Sequence, residues 1–270
     1  MTSRITLSLW LAAGLVFLYL PLGLLVAYSF NAGRLVTVWA GFSTHWYASV
    51  FTDPAILRAA LLSLAVAAGS ASIATMLGTA VALILTRYRY FRGRALMAGL
   101  AGIPLVLPEI ILGLAFLLLF VALETSLGWP QGRGRLTLVL AHATVGMAYV
   151  VVVVRARLAG MPTELEEAAR DLGATPWRTF RSVTLPLILP GVAAGWLLAF
   201  TLSLDDVVIA SFVSGPGAST LPMLIYSKVR LGLSPEINAL ATLLILAVAA
   251  GVALSMVLMG RSRTSPPRVT

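Results

Sequence analysis

Apolar residues along this chain do not alternate, and they do not recur as a single stripe. They come in long blocks, roughly Ile5–Phe30, Ala60–Leu85, Leu96–Leu123, Leu136–Val154, Leu187–Val213 and Ile237–Gly260. A hydrocarbon core of about 30 Å is crossed by about 20 helical residues. Lipid offers no partners to backbone groups, so blocks of this length are expected to be helices. The pattern predicts an all-α, polytopic membrane protein with about six transmembrane helices. The first block follows Arg4 and resembles a signal peptide only superficially. Its apolar stretch exceeds a typical h-region of about 7–15 residues, and it is expected to stay as a membrane helix.

Composition agrees. Of 270 residues, 59% are hydrophobic and 11% charged, and the mean hydropathy is +0.96. A soluble domain of this length needs more polar surface. The net charge of +9 does not point to nucleic acid, because the arginines sit in short blocks between apolar runs. With the N-terminus placed inside, the inner segments hold Arg4; Arg87, Arg89, Arg92 and Arg94; Arg155, Arg157, Arg170, Arg178 and Arg181; and Arg261, Arg263 and Arg268. That is 13 of the 19 basic residues. Arg34, Arg58, Arg133, Arg135, Lys228 and Arg230 fall outside. Positive charge favours the cytoplasmic side, so both termini are expected there. Trp39, Trp46, Tyr47 and Trp129 fall on outer loops, as interfacial rings do.

There is no cysteine, hence no disulfide or thiolate site. His45 and His142 have no partner at metal-ligand spacing and are expected to be structural. No Gly-x-x-x-x-Gly-Lys-Ser/Thr loop is present, so the chain does not bind ATP through a P-loop.

The longest polar stretch, residues 155–186, carries the most local information. Thr163 followed by Glu166 predicts a capping box, and Glu164, Glu166 and Glu167 suit the positive end of a helix. Gly173 fits the left-handed position that ends it. Thr175 and Pro176 then fit the cap and first residue of a second short helix. An elbow at Gly173-Ala174 follows.

Glu167-Ala168-Ala169, three residues, Gly173, nine residues, then Val183-Thr-Leu-Pro186 resembles the EAA loop of binding-protein-dependent ABC importer permeases. Val183 departs mildly from the usual Ile. Leu202-Ser-Leu-Asp-Asp-Val-Val-Ile-Ala-Ser-Phe212, Ser214-Gly-Pro-Gly217, Thr220-Leu-Pro222, Ser234-Pro-Glu-Ile-Asn-Ala-Leu-Ala-Thr242, Tyr28-Ser-Phe-Asn31 and Leu35-Val-Thr-Val-Trp-Ala-Gly41 are similar to the polyamine group of that family. Nearly the whole chain takes part, and the second permease subunits of putrescine importers are the most similar. Spermidine importers are the near alternative.

The resemblance implies one transmembrane permease domain over residues 1–270 with a type I importer core in a bacterial inner membrane. It implies a homologous second permease, two copies of an ABC ATPase and a periplasmic polyamine-binding protein. ATP and Mg would be bound by the ATPase, and no cofactor by this chain. Glu167, Ala168, Ala169, Gly173, Ala174 and Pro176 would contact the ATPase.

Three acids lie within apolar blocks: Glu109 after Pro108, and the adjacent Asp205 and Asp206. An ionisable group at membrane depth is costly and marks a functional site or a structural pair. Read on one continuous helix, Asp205 and Asp206 point about 100° apart, so one of them faces the pathway squarely. Acid walls suit a polycation and disfavour an importer for anions. A membrane scaffold or channel without an ATPase is the reading of another class, and the capped elbow argues against it.

Overall fold

The computed structural model describes residues 2–35, 38–88, 90–232 and 234–262. Arg89, Arg263 and Arg268 of the basic segments, and Val36 and Thr37 of the early stretch, lie outside the described residues. Among the described residues the regular elements are all helices, with no strand. In order the elements are α1 (Thr2–Tyr28), α2 (His45–Thr52), α3 (Pro54–Arg87), α4 (Arg94–Val106), α5 (Glu109–Leu127), α6 (Arg135–Ala159), α7 (Glu164–Asp171), α8 (Pro176–Thr179), a π-helical turn (Phe180–Thr184), α9 (Leu185–Asp205), α10 (Val208–Val213), α11 (Leu221–Leu231) and α12 (Pro235–Ser262).

Among the described residues, five helical stretches are long and apolar enough to cross a membrane: Arg4–Tyr28, Pro54–Arg87, Glu109–Leu127, Arg135–Ala159 and Pro176–Asp205. Arg94–Val106 and Pro235–Ala250 are shorter apolar helices. Two of the six expected blocks are therefore not single helices. The third is cut between α4 and α5 at Leu107 and Pro108, whose ψ angles are 140° and 138°. Proline pushes the residue before it out of the helical region and has no N–H of its own to donate. The fifth is cut between α9 and α10, where Asp206 is extended with ψ 125°.

The chain divides into two compact units, Met1–Leu57 with Ile225–Thr270, and Arg58–Leu224. In the first, α12 packs on α1 and α2. Its loop after α1 is knotted around the buried Asn31. The Asn31 Nδ2 donates to the carbonyls of Leu35 and Val38, and its Oδ1 accepts the Gly33 and Ala40 N–H groups. Trp46 Nε1 donates to the Asn31 carbonyl, and Phe30 stacks on Phe42.

In the second unit, α6 lies against α9 along much of its length, and α10 lies on α5. Small residues permit the first contact. A Cβ on Gly146 would stand 3.1 Å from the Ala199 Cβ and 3.2 Å from the Ala74 Cβ, so α3, α6 and α9 meet there almost backbone to backbone. Membrane helices associate through such close van der Waals packing because lipid supplies no hydrophobic drive between them. Val150, Val154, Leu158, Ile188 and Ala199 form the apolar core of this contact. It fixes α9, which follows the π-helical turn at one end and stops at Asp205 at the other.

Candidate functional site

A cavity of about 290 Å³ opens where α9 stops. Glu109, His142, Tyr149, Ser203, Asp205 and Asp206 are among its lining residues. The two helix breaks thus bring together three acids that the sequence places almost 100 residues apart. Glu109 is the first residue of α5, directly after the Pro108 break, and is exposed. Asp205 is the last residue of α9 and is also exposed. Neither makes an ion pair among the described residues.

Asp206 is held differently, and here the expectation of two adjacent acids on one helix is corrected. Its backbone is extended and its side chain turns onto the start of α10. Oδ1 accepts the Ile209 N–H at 3.1 Å and Oδ2 accepts the Ala210 N–H at 3.0 Å. These donors belong to the first turn of a helix and have no partner within it. The carboxylate satisfies two of them and meets the positive end of the helix dipole.

His142 on α6, expected to be structural, stands in the same wall. Its Nε2 lies 3.0 Å from Asp206 Oδ2, an ion-pair distance outside the alignment of a hydrogen bond. Its Nδ1 is 2.6 Å from Ser203 Oγ, which in turn is 3.2 Å from Ser70 Oγ on α3. A buried chain of polar side chains therefore runs from α3 through α9 and α6 to the break. The sequence carries no local signal for it, because each partner comes from a different helix.

The second group of predicted residues forms the elbow. Gly173 has φ +81°, its N–H donates to the Arg170 carbonyl, and the Ala174 N–H donates to the Ala169 carbonyl. These two bonds are the Schellman motif that closes a helix through a left-handed residue. Thr175 Oγ1 accepts the Arg178 N–H, and Pro176 is the first residue of α8. Glu167, Ala168, Gly173 and Pro176 are exposed, and Ala169 and Ala174 half-buried. Leu172 and Trp177 beside them are 90% and 68% exposed, an apolar surface on an otherwise charged loop.

The expected capping box is absent. Thr163 makes no side-chain cap bond, and Glu166 is turned inward and buried. Its carboxylate takes charge-assisted bonds from Arg87 and a hydrogen bond from Thr184 instead. Such bonds are about twice as strong as neutral ones, so the local cap loses to the tertiary pair.

Residues 74–264 match the family described as binding-protein-dependent transport system inner membrane component. The chain is 56% identical over 238 residues to the putrescine transport system permease protein PotI of Escherichia coli strain K12, covering 88% of this chain and 85% of that protein. It is 42% identical over 245 residues to the spermidine/putrescine transport system permease protein PotC of the same strain, covering 91% of this chain and 90% of that protein. Among solved structures it matches a bacterial ABC transporter involved in the import of the acidic polysaccharide alginate, with a TM-score of 0.73 over 98% of this chain and 96% of that one. Identity there is 19%, so that likeness concerns the fold. The helical membrane architecture, the elbow and these matches lead to one conclusion: the chain belongs to the binding-protein-dependent transport system inner membrane components, the permease subunits of ABC importers.

Proposed function

We propose that this chain forms half of the translocation pathway of a polyamine importer, with putrescine as substrate. The carrying observation is the gathering of Glu109, Asp205 and Asp206 around one cavity at two helix breaks. Putrescine at neutral pH is a flexible chain with an ammonium at each end. Carboxylates held at membrane depth give it the counter-charges it loses on leaving water. Asp206 is engaged by α10 and His142, so Glu109 and Asp205 are the acids that meet substrate. An anionic solute would meet repulsion at the same walls. The family relatives named for putrescine and spermidine support the cationic class.

The machine is completed by other chains. A homologous second permease supplies the facing half, a periplasmic polyamine-binding protein delivers substrate, and two ABC ATPase subunits bind ATP and Mg. The elbow at Gly173 and Ala174 contacts the ATPase, through Glu167, Ala168, Ala169, Pro176 and the exposed Leu172 and Trp177. The protein sits in the inner membrane with both termini cytoplasmic. ATP closes the ATPase dimer, the elbows approach one another, and the helices above them turn the cavity from one side of the membrane to the other.

The complete importer in sealed vesicles, given radiolabelled putrescine, spermidine and an anionic control solute in turn, tests this reading. ATP-dependent accumulation of a polyamine is the expected result. Accumulation of neither polyamine, or of the anion, overturns it.

A further inference from the structure

Glu166 is 7% exposed, although it sits on a short helix whose other acids, Glu164, Glu167 and Asp171, are open to water. Its carboxylate joins three elements. Arg87, the last residue of α3, approaches with Nε 3.1 Å from Oε2, and with Nη2 3.1 Å from Oε1. Thr184, the last residue of the π-helical turn, donates its Oγ1–H to Oε1 at 2.7 Å. The hydrogen bonds converge on Oε1, Oε2 stands at ion-pair distance from the same guanidinium, and the side chain is largely withdrawn from water.

The π-helical turn leads without interruption into α9. At 1.5 Å per residue the 21 residues of α9 span about 30 Å. Its far end is the break at Asp205 and Asp206. Arg157 of α6 braces the near end by donating its Nε–H to the Leu187 carbonyl at 3.1 Å. A displacement of α7 therefore acts on α3 and on the foot of α9 through this carboxylate, beside the direct chain connection through α8. The exposed residues of the elbow make no bond to the Glu166 carboxylate, although Trp177 packs on Phe180 of the π-helical turn.

We propose that Glu166, clamped by Arg87 and Thr184, is the positioning residue that converts movement of the elbow into movement of α9 and the acid-lined break. It is separate from the surface that holds the ATPase. This rests on the reading of the elbow as the ATPase contact. Removing the charge of Glu166 leaves that surface intact, so docking and hydrolysis persist while transmission slackens. Glu166→Gln keeps the size of the side chain and an oxygen for Thr184, but weakens the grip of Arg87. Thr184→Val removes one neutral hydrogen bond and keeps the shape.

The experiment uses the complete importer in vesicles and reads three quantities: ATPase retained per permease, ATP hydrolysed, and putrescine accumulated. Wild-type protein that retains no ATPase overturns the elbow reading itself. Given retention, Glu166→Gln is expected to keep wild-type assembly and hydrolysis within about twofold, and to lower putrescine taken up per ATP by about tenfold, inside the range of coupling between linked sites. Thr184→Val is expected to lower it less. A merely structural pair would lose uptake only in proportion to lost complex, and that result overturns the proposal. So does an unchanged ratio of uptake to hydrolysis, and so does loss of the ATPase from the Glu166→Gln complex, which would make Glu166 a docking residue.

Discussion

His142 Nε2 stands 3.0 Å from Asp206 Oδ2, and that same oxygen accepts the Ala210 N–H at 3.0 Å. Asp206 is thereby committed to the architecture of the break, while its neighbour Asp205 keeps its carboxylate toward the cavity. The two adjacent acids are held differently, and under the proposed function their neutral variants should separate. Asp206→Asn turns an amide donor toward the N–H of either Ile209 or Ala210. Setting a donor against a buried donor costs about 1–3 kcal/mol, so assembled complex falls along with uptake. Asp205→Asn disturbs no ion pair and should assemble normally. Loss of a charge-assisted contact with an ammonium is worth about 1.5–3 kcal/mol, so uptake per complex should fall about tenfold or more. Quantifying complex by affinity capture and uptake by radiolabel on the same vesicles checks both. Normal uptake by Asp205→Asn would remove it from the pathway.

Gly173 offers a cleaner backbone test. A Cβ there meets no heavy atom within 4 Å, so the penalty of substitution is conformational rather than steric with neighbours. Left-handed backbone costs an L-residue about 1–2 kcal/mol, and a β-branched side chain more. Gly173→Ala should weaken ATPase retention modestly and Gly173→Val severely, with both proteins still inserted in the membrane. Retention equal to wild type in Gly173→Val would contradict the elbow's role in docking.

Lys228 bridges Asp53 and Glu236, at 3.2 and 2.9 Å. Burial pushes the Lys228 ammonium down, but the hydrogen bonds and charges of Glu236 and Asp53 outweigh it and hold the group above its ordinary value of 10.5. Burial pushes the Asp53 carboxyl up, but the Ala55 N–H and Lys228 outweigh it and hold the group below its ordinary value of 3.8. The signs follow from linkage. The Lys228 contribution is complete below pH 10.5 and fades as pH rises through the folded value. The Asp53 contribution is complete above pH 3.8 and fades as pH falls through its folded value. Lys228→Met should lower the melting temperature of purified protein at pH 7 by about 2 °C, the effect of an ion pair worth about 1 kcal/mol. That difference should shrink as pH falls below 3.8. A difference independent of pH would assign the loss to packing of the lysine stem.

Topology follows from the distribution of basic residues. Reporter fusions at Arg92, at Thr175 and after the C-terminus should read cytoplasmic, and fusions near Thr44, Gly132 and Ala218 should read external. A cytoplasmic signal at any of the last three would reverse the placement of both termini.

What the sequence alone determined is what depends on near neighbours. Long apolar blocks dictate helices because lipid leaves the backbone no other partner. Gly173, Thr175 and Pro176 dictate the elbow because left-handed backbone, a capping hydroxyl and a fixed φ act over a turn or two. Pro108 opens the third block by an equally local rule, although the apolar run there reads as a single span. The break at Asp206 was not legible, because Leu-Asp-Asp-Val-Val contains no proline or glycine, and an aspartate caps a helix only once the chain has left the previous one. Tertiary structure decided the rest. Ser203 and His142 are 61 residues apart, and Arg87 and Glu166 are 79 apart. Nothing in the spacing brings them together, only the packing of α3, α6 and α9. Glu166 shows how the two levels compete: the local pattern offers a capping box, and a guanidinium from another helix outbids it because a buried charge needs an opposite charge more than a helix end needs one more acceptor.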